Sequence, residues 1–375
     1  MLDQQVINAN LEMHKQTPHV STEAYVYGLM AAVGEDIARK KILYLDTRFW
    51  VYLRNAEMGK PRYETHREML RLLRKSVAEG KAVCPISDAL CVELFKQADP
   101  QTKVLTARLM DELSGGVTLI GEYSRIREEI AACFERRAAR SANDGIRPRV
   151  WARPCFAYGA RVPHAPQLDA ETNRLFQKSA IDTLWSMSVE DWVVSQLGAT
   201  PVPNPMLAAA GEVNARSAKY ANEIRSFDQA RLAEVAGRLR VFKDRIAGAY
   251  DTIIRGDVRD RRSNELRTAQ LARIHRVLLN LVRYRRPLMA ANLPGIYIHA
   301  SCHAAMRWDR SRKVNDHDLL DFHHATGAVP YCDAFFTDRP MQALLTSGPL
   351  QLDVLFGTTI ESDEAKILQY LETSL

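Results

Sequence analysis

The sequence predicts an α/β protein in which a parallel sheet is flanked by helices and interrupted by a large all-α insertion. Three observations support this prediction. Residues 41–98 read as strand, helix, strand, helix, which is the order of a parallel sheet with crossover helices. A helix followed by an apolar strand returns in residues 315–338. Between these segments, residues 101–290 show long helical patterns and almost no strand alternation.

The first α/β segment contains two short apolar runs. Residues 41–45 form the first run, which ends at Asp46 and reads as a buried strand. An amphipathic helix follows over residues 69–77, and residues 81–86 form the second candidate strand. Ser87 is a favourable N-cap for the helix that comes next. We therefore expect two parallel strands joined by a helical crossover.

The second α/β segment supplies one helix and one strand. The helix covers residues 315–325, and an apolar strand over residues 331–337 ends at Asp338. Because the pattern stops and then resumes, the simplest architecture is one discontinuous domain built from two parts of the chain. The predicted parts are an N-terminal helical segment (1–40), the discontinuous α/β domain (41–100 and 291–345), a helical basic insertion (101–290) and a C-terminal helical extension (346–375).

Composition excludes several classes of protein. Of the 375 residues, 46% are hydrophobic and 26% are charged, as in ordinary globular proteins. These values exclude a disordered chain and a disulfide-dense mini-protein. No run approaches the ~18 apolar residues of a membrane span. The six cysteines form no CxxC pair and the N-terminal residues are polar, so we expect a protein of the reducing cytoplasm.

The net charge of +6 is unevenly distributed along the chain. Residues 101–290 contain 31 Lys and Arg against 21 Asp and Glu, a net of +10, and the other residues carry a net of −4. An Arg-rich segment predicts phosphate partners, which suggests nucleic acid. Two stretches combine Arg with aromatic residues, and this combination suits phosphate contacts with base stacking. The candidate nucleic-acid contacts are Arg147, Arg149, Trp151, Arg153, Arg283, Arg285 and Arg286.

Acidic residues recur where the predicted strands end. Asp46 follows the first strand, Asp338 follows the last, and Glu93 lies in the helix after the second. Each acid alone is more often a helix cap, but the carboxyl ends of parallel strands share the edge where active sites form. Asp318 and Asp321 add an i, i+3 pair on one helix face. Carboxylates gathered in this way repel one another unless cations bind, and Mg²⁺ or Mn²⁺ prefers oxygen ligands.

Four short motifs follow one another in order along the chain. They are Tyr44-Leu45-Asp46-Thr47, Pro85-Ile86-Ser87 with Glu93-Leu94 six residues later, Asn315 to Asp321, and Phe335-Phe336-Thr337-Asp338. Together they resemble the PIN-like ribonuclease superfamily. The stretch from Pro330 to Asp338 is similar to a bacterial PIN-like subgroup that carries large helical additions. The resemblance covers residues 40–98 and 292–345.

The resemblance implies a nuclease that depends on Mg²⁺ or Mn²⁺ and usually acts on RNA. Asp46 and Asp338 would bind the metal, and Glu93 would complete the site with either Asp318 or Asp321. The insertion of nearly 200 residues is a departure from compact members of the family.

The same motifs contain four residues in supporting positions. Thr47 and Thr337 could hydrogen-bond the carboxylates and orient them. Asp316 lies in the helix that carries the alternative ligands, and Asp333 opens the last strand instead of closing it. We expect these four residues to support the ligands and not to bind the metal themselves.

Other functions stay open at this point. The acids do not distinguish RNA from DNA, so the protein could be a deoxyribonuclease in defence against foreign DNA. A non-catalytic nucleic-acid-binding or protein-binding module is a further alternative, against which the retained acids argue. Many compact PIN-like proteins are toxins, which allows an antitoxin partner or a homodimer. His299 and His303 could form part of a zinc site, but without a matched second pair they read as core or surface histidines.

Overall fold

The computed structural model describes residues 4–137, 145–159, 162–197, 205–255, 264–309 and 311–375. Within them the strands are β1 (Lys41–Leu45), β2 (Ala82–Val83), β3 (Thr118–Leu119), β4 (Trp151–Ala152), β5 (Ala334–Phe336) and β6 (Thr359–Glu361). The helices of the first half are α1 (Gln4–Lys15), α2 (Thr22–Ile37), α3 (Thr47–Glu57), α4 (Glu64–Ala78), α5 (Asp88–Lys96), α6 (Pro100–Ser114), α7 (Glu122–Arg137), α8 (Ala170–Trp185) and α9 (Val189–Ser195).

The second half of the chain is mainly helical. A π-helical turn, Tyr250–Arg255, directly follows the helix that ends at Ala249. The helices are α10 (Pro205–Lys219), α11 (Phe227–Val241), α12 (Lys243–Ala249), α13 (Asn264–Tyr284), α14 (Arg286–Asn292), α15 (Pro294–Trp308), α16 (Asp316–Ala328), α17 (Arg339–Thr346), α18 (Leu352–Phe356) and α19 (Glu364–Ser374).

The predicted α/β class is confirmed. In the described part of the chain, four strands form a parallel sheet flanked by helices, in the order β2-β1-β5-β6. The register of β1 on β2 places Lys41 opposite Ala82, and the register of β5 on β6 places Phe335 opposite Ile360. The strands are short and almost continuously apolar, and all but the first residue of β1 is buried. Such runs are typical of parallel sheets covered on both faces.

The chain forms two compact units. The first unit comprises residues 1–121, 147–199 and 368–375, and the second comprises residues 122–146 and 200–367. In the first unit, α3 packs on α4 and α6, and α1 packs on α8. The fully buried Trp50 of α3 donates its indole N–H to the carbonyl of Leu45, with 3.1 Å between the nitrogen and the oxygen. This bond fixes the start of α3 against the end of β1.

The second unit is organised around α15, which packs on α7, α11, α14 and α16. Glu129, fully buried on α7, accepts hydrogen bonds from the Gly295 amide (3.0 Å) and the Tyr331 hydroxyl (2.6 Å). Burial raises the pKa of Glu129 to about 7. These bonds compensate a buried polar group and link the start of α15 to the segment that leads into β5.

Three short strands, β3, β4 and β6, lie in segments for which the sequence predicts helices. β3 and β4 form an antiparallel ladder within residues 101–290, with Leu119 opposite Trp151. β6 lies between α18 and α19, within the residues 346–375 that the sequence predicts as a helical C-terminal extension. These strands have two or three residues each, too few to produce a readable alternation.

Among the described residues, no helix has the length and apolar character that crossing a membrane requires.

Candidate active site

Asp46 follows β1 directly and begins α3. One of its carboxylate oxygens, Oδ1, accepts hydrogen bonds from the amides of Arg48 (3.0 Å) and Phe49 (3.4 Å). Asp46 therefore serves as the N-cap of α3, and its side chain is almost completely buried. The end of a buried strand, the helix start and the cap together place this carboxylate at the carboxyl end of β1.

Glu93 is held beside this position by a hydrogen bond. The hydroxyl of Thr47, the first residue of α3, donates to the Glu93 carboxylate. Ser87 caps α5 by accepting from the Leu90 amide at 3.3 Å, as the sequence predicts, and its hydroxyl lies 2.6 Å from that of Tyr44 on β1. The cap therefore anchors α5 to β1, and α5 brings Glu93 to the residue that follows Asp46.

Asp338 occupies the corresponding position at β5. It comes two residues after Phe336 and caps α17, accepting from the Met341 amide at 2.8 Å. Thr337 is buried, and its amide donates to the Glu361 carbonyl of β6 at 3.0 Å. Asp333 precedes β5, so it stands at the amino end of this strand. Asp338 and Asp333 therefore lie at opposite ends of β5.

The two alternative ligands of α16 have different surroundings. Asp318 is buried, and each of its oxygens is engaged: Arg312 donates to Oδ1 (2.6 Å) and the Asn315 amide donates to Oδ2 (2.9 Å). With Asn315 it forms a reciprocal capping box, in which the side chain satisfies backbone donors of the first turn. Asp321 is half-buried one turn later, and Asp316 is half-buried at the first position of α16. The capping box and the Arg312 contact thus account for both carboxylate oxygens of Asp318.

The donor chemistry of the first unit suits a hard cation. In the ranges that the structure describes, no three His, Cys, Asp or Glu side chains are placed to hold a metal ion together. Mg²⁺, however, is usually bound through one or two carboxylates, with waters and substrate phosphates supplying its other ligands. Asp46 and Glu93 offer carboxylate oxygens of this kind, and the Thr47 hydrogen bond holds Glu93 at the residue that follows Asp46.

The first predicted basic stretch is partly buried. Arg147–Arg149 forms a single short turn with Arg147 exposed, and Arg153 donates to the Gly115 carbonyl. Trp151 is only 1% exposed, because β4 pairs with β3 and the indole packs into the first unit. The interpretation of Trp151 as a base-stacking residue is therefore wrong, and its role is in the core.

The second predicted basic stretch lies at the surface. Arg283, Arg285 and Arg286 are exposed where α13 ends and α14 begins. Tyr284 between them has 72% of its surface exposed, and the Arg283 guanidinium lies 5.9 Å from the centre of its ring. This stretch therefore presents both phosphate-binding groups and an aromatic ring.

The second unit contains a cluster of three histidines together with a glutamate and an arginine from distant parts of the sequence. His299 and His303 stack on α15 with ring centres 4.3 Å apart, and His323 of α16 lies 6.5 Å from His299. Glu122 approaches His323 at 3.6 Å and accepts from Arg238 at 2.6 Å. Burial, reinforced by Arg238, lowers the pKa of His303 to about 4 and that of His299 well below its usual value.

Glu122 of α7 and Arg238 of α11 also belong to this cluster. They are more than a hundred residues apart in the sequence, so no local pattern predicts that they meet.

Comparison with known proteins gives no further assignment: no family model, no curated protein and no solved structure matches this chain.

Proposed function

We propose that the protein is a metal-dependent endoribonuclease whose carboxylates bind Mg²⁺ or Mn²⁺. The observation that carries the proposal is the hydrogen bond from Thr47 to Glu93, which places a second carboxylate beside the turn that begins at Asp46. A hydrogen bond that orients a carboxylate is a frequent feature of metal ligands.

The topology supports the same proposal. Asp46 follows β1 immediately, Asp338 follows β5 with one residue between, and both strands belong to the four-stranded parallel sheet. Ligands of open α/β sheets bind outside the carboxyl ends of the strands. We therefore assign Asp46 and Glu93 of the first unit as metal-binding residues, and keep Asp338 and Asp321 of the second unit as the further carboxylates that the resemblance implies. Asp318 is reassigned to the capping box.

A bound cation would supply an activated water and neutralise charge on the scissile phosphate. The residues of the chain then have distinct tasks. Asp46 and Glu93 would bind the ion, Thr47 holds the Glu93 carboxylate in one orientation, and Thr337 is assigned the same task beside Asp338. Attack in line would leave a 3′-hydroxyl and a 5′-phosphate.

The exposed Arg283, Arg285 and Arg286 are assigned to substrate phosphates. Each phosphate that these groups neutralise releases condensed counterions, so binding should weaken as salt increases. Tyr284 adds a ring on which an unpaired base can stack.

Labelled RNA and DNA of the same sequence test the proposal. Each polymer is incubated with the protein in Mg²⁺, in Mn²⁺ and in EDTA. We expect cleavage of RNA with either ion and none in EDTA. Cleavage of DNA alone would identify a deoxyribonuclease. Binding of either polymer without cleavage under any of these conditions would contradict catalysis and support the non-catalytic alternative.

A further inference from the structure

A cleft of about 500 Å³ opens on the second unit, and none of the proposed metal-binding residues lines it. It is formed by α11 together with the end of α13 and the start of α14. Three arginines and one aspartate supply its charges, and apolar side chains complete the wall. The charged residues are Asp228, Arg231, Arg283 and Arg286, and the apolar ones include Leu232 and Val282.

The side chain of Arg231 is almost completely buried. The guanidinium lies over two aromatic rings, 5.1 Å from the centre of Phe227 and 5.8 Å from that of Tyr297. One amino group is 3.4 Å from the Tyr297 hydroxyl and another donates to Asp228. Its Nε–H has no hydrogen-bond partner among the described residues. A buried cation with an unsatisfied donor is costly, and an anion in the cleft would offset its charge.

Asp228 is only a partial counterion for this cleft. Its side chain is 77% exposed although it contacts Arg231, and it also lies 4.0 Å from Arg286. One carboxylate thus stands among three arginines, which leaves a net positive charge in the cleft. Asp228 competes for these arginines with any anion that enters from solvent.

The chemistry of the cleft selects a phosphate group. Arginine presents a planar set of donors that matches phosphate oxygens in pairs. The apolar side chains of Leu232 and Val282, and the exposed ring of Tyr284 next to Arg283, offer surface for a nucleobase. The volume is also within the ~300–1,000 Å³ that is usual for small-molecule sites. A nucleotide combines both of these groups.

We propose that this cleft binds the phosphate of a nucleotide, with Arg283 and Arg286 contacting the phosphate beside Arg231. The nucleotide is either free or part of a single strand, since both carry the same group. The proposal depends on the cleft alone and does not require that the protein hydrolyses nucleic acid.

Calorimetric titration of the full chain in EDTA tests it. The ligands are adenosine 5′-monophosphate, adenosine without phosphate, and a single-stranded oligonucleotide. We expect binding of at least one phosphate-bearing ligand and none of adenosine. Binding of the oligonucleotide alone assigns the cleft to a strand, and binding of the monophosphate assigns it to a free nucleotide as well. Failure of both to bind, or equal binding of adenosine, overturns the proposal.

Four variants locate the site. Arg283→Ala and Arg286→Ala should each weaken binding about tenfold or more, because each removes a charged donor. Asp228→Asn should strengthen binding, because it removes the competing carboxylate. Arg240→Ala removes an exposed charge from the same helix outside the cleft and should leave binding unchanged. If Arg240→Ala weakens binding as much as the cleft variants, the attraction is non-specific and the proposal fails.

Asp46→Asn separates this proposal from the nuclease assignment. The substitution should abolish cleavage while binding of the phosphate ligand in EDTA is retained. Binding that depends on Arg283 and Arg286 in a protein that never cleaves RNA or DNA would uphold the cleft and reject the nuclease.

Discussion

The hydroxyl of Thr47 donates a hydrogen bond to the carboxylate of Glu93, across 46 residues of sequence. Thr47 is the first residue of α3, and Asp46 is the N-cap immediately before it. One hydroxyl therefore connects α5 to the turn that follows β1.

Replacing Thr47 with Val removes the hydroxyl and keeps the branched shape of the side chain. Without the hydrogen bond the Glu93 carboxylate loses its fixed orientation, so metal affinity or cleavage rate should fall about 10–100-fold. Metal titration and cleavage assays measure the change. Thr47→Ser keeps the donor and should stay close to the wild type. Equal activity of Thr47→Val and the wild type would show that the bond has no role in the site.

Asp318 and Asp321 should respond differently to the same substitution. Asp318→Asn weakens both the capping box and the contact with Arg312, so it should lower the free energy of unfolding by about 1–2 kcal/mol. Asp321→Asn should change stability less and reduce cleavage more. Urea denaturation and cleavage assays on both variants separate the two roles. A stable, inactive Asp318→Asn protein would return Asp318 to the metal site.

His303, half-buried on α15, should make the protein less stable in acid. Burial holds the pKa of His303 at about 4, below its ordinary value of 6.5. Between these values the unfolded chain binds a proton that the native chain does not, so stability falls as the pH falls from about 6.5 towards 4. The contribution of His303 to this fall is about 1–3 kcal/mol.

Urea denaturation at several pH values measures this effect. His303→Gln removes the titrating ring and should flatten the decline, whereas His317→Gln, at an exposed position of α16, should leave it as steep as in the wild type. An identical decline in the wild type and in His303→Gln would mean that this ring does not carry the pH dependence.

Local signals predicted much of the α/β framework. The apolar run at Lys41–Leu45 and the cap at Ser87 were sufficient for β1 and the start of α5, and the pattern at 315–338 found α16 and β5. The long helices between residues 122 and 284 also follow their predicted periodicity. By contrast, Thr359–Glu361 joins the sheet as β6 with only three residues, and its place depends on pairing with β5, which no local pattern encodes.

Side-chain roles were harder to predict than elements. The sequence places Trp151 among arginines and therefore suggests a surface ring, but the pairing of β4 with β3 buries it. Asp318 and Asp321 have the same spacing on their helix, and only the contacts of Arg312 and Asn315 distinguish them. The surroundings of Arg231 depend on Phe227 in its own helix and on Tyr297, 66 residues away.

The substitution Asp46→Asn tests the nuclease assignment most directly, because asparagine caps a helix about as well as aspartate. The fold should therefore persist while the charge needed for a cation is lost. Asp99→Asn, at the exposed N-cap of α6, is the matched control. With labelled RNA in Mg²⁺ or Mn²⁺, we predict that Asp46→Asn abolishes cleavage in a protein that unfolds at the wild-type urea concentration, and that Asp99→Asn cleaves normally. Full metal-dependent cleavage by Asp46→Asn would contradict the account.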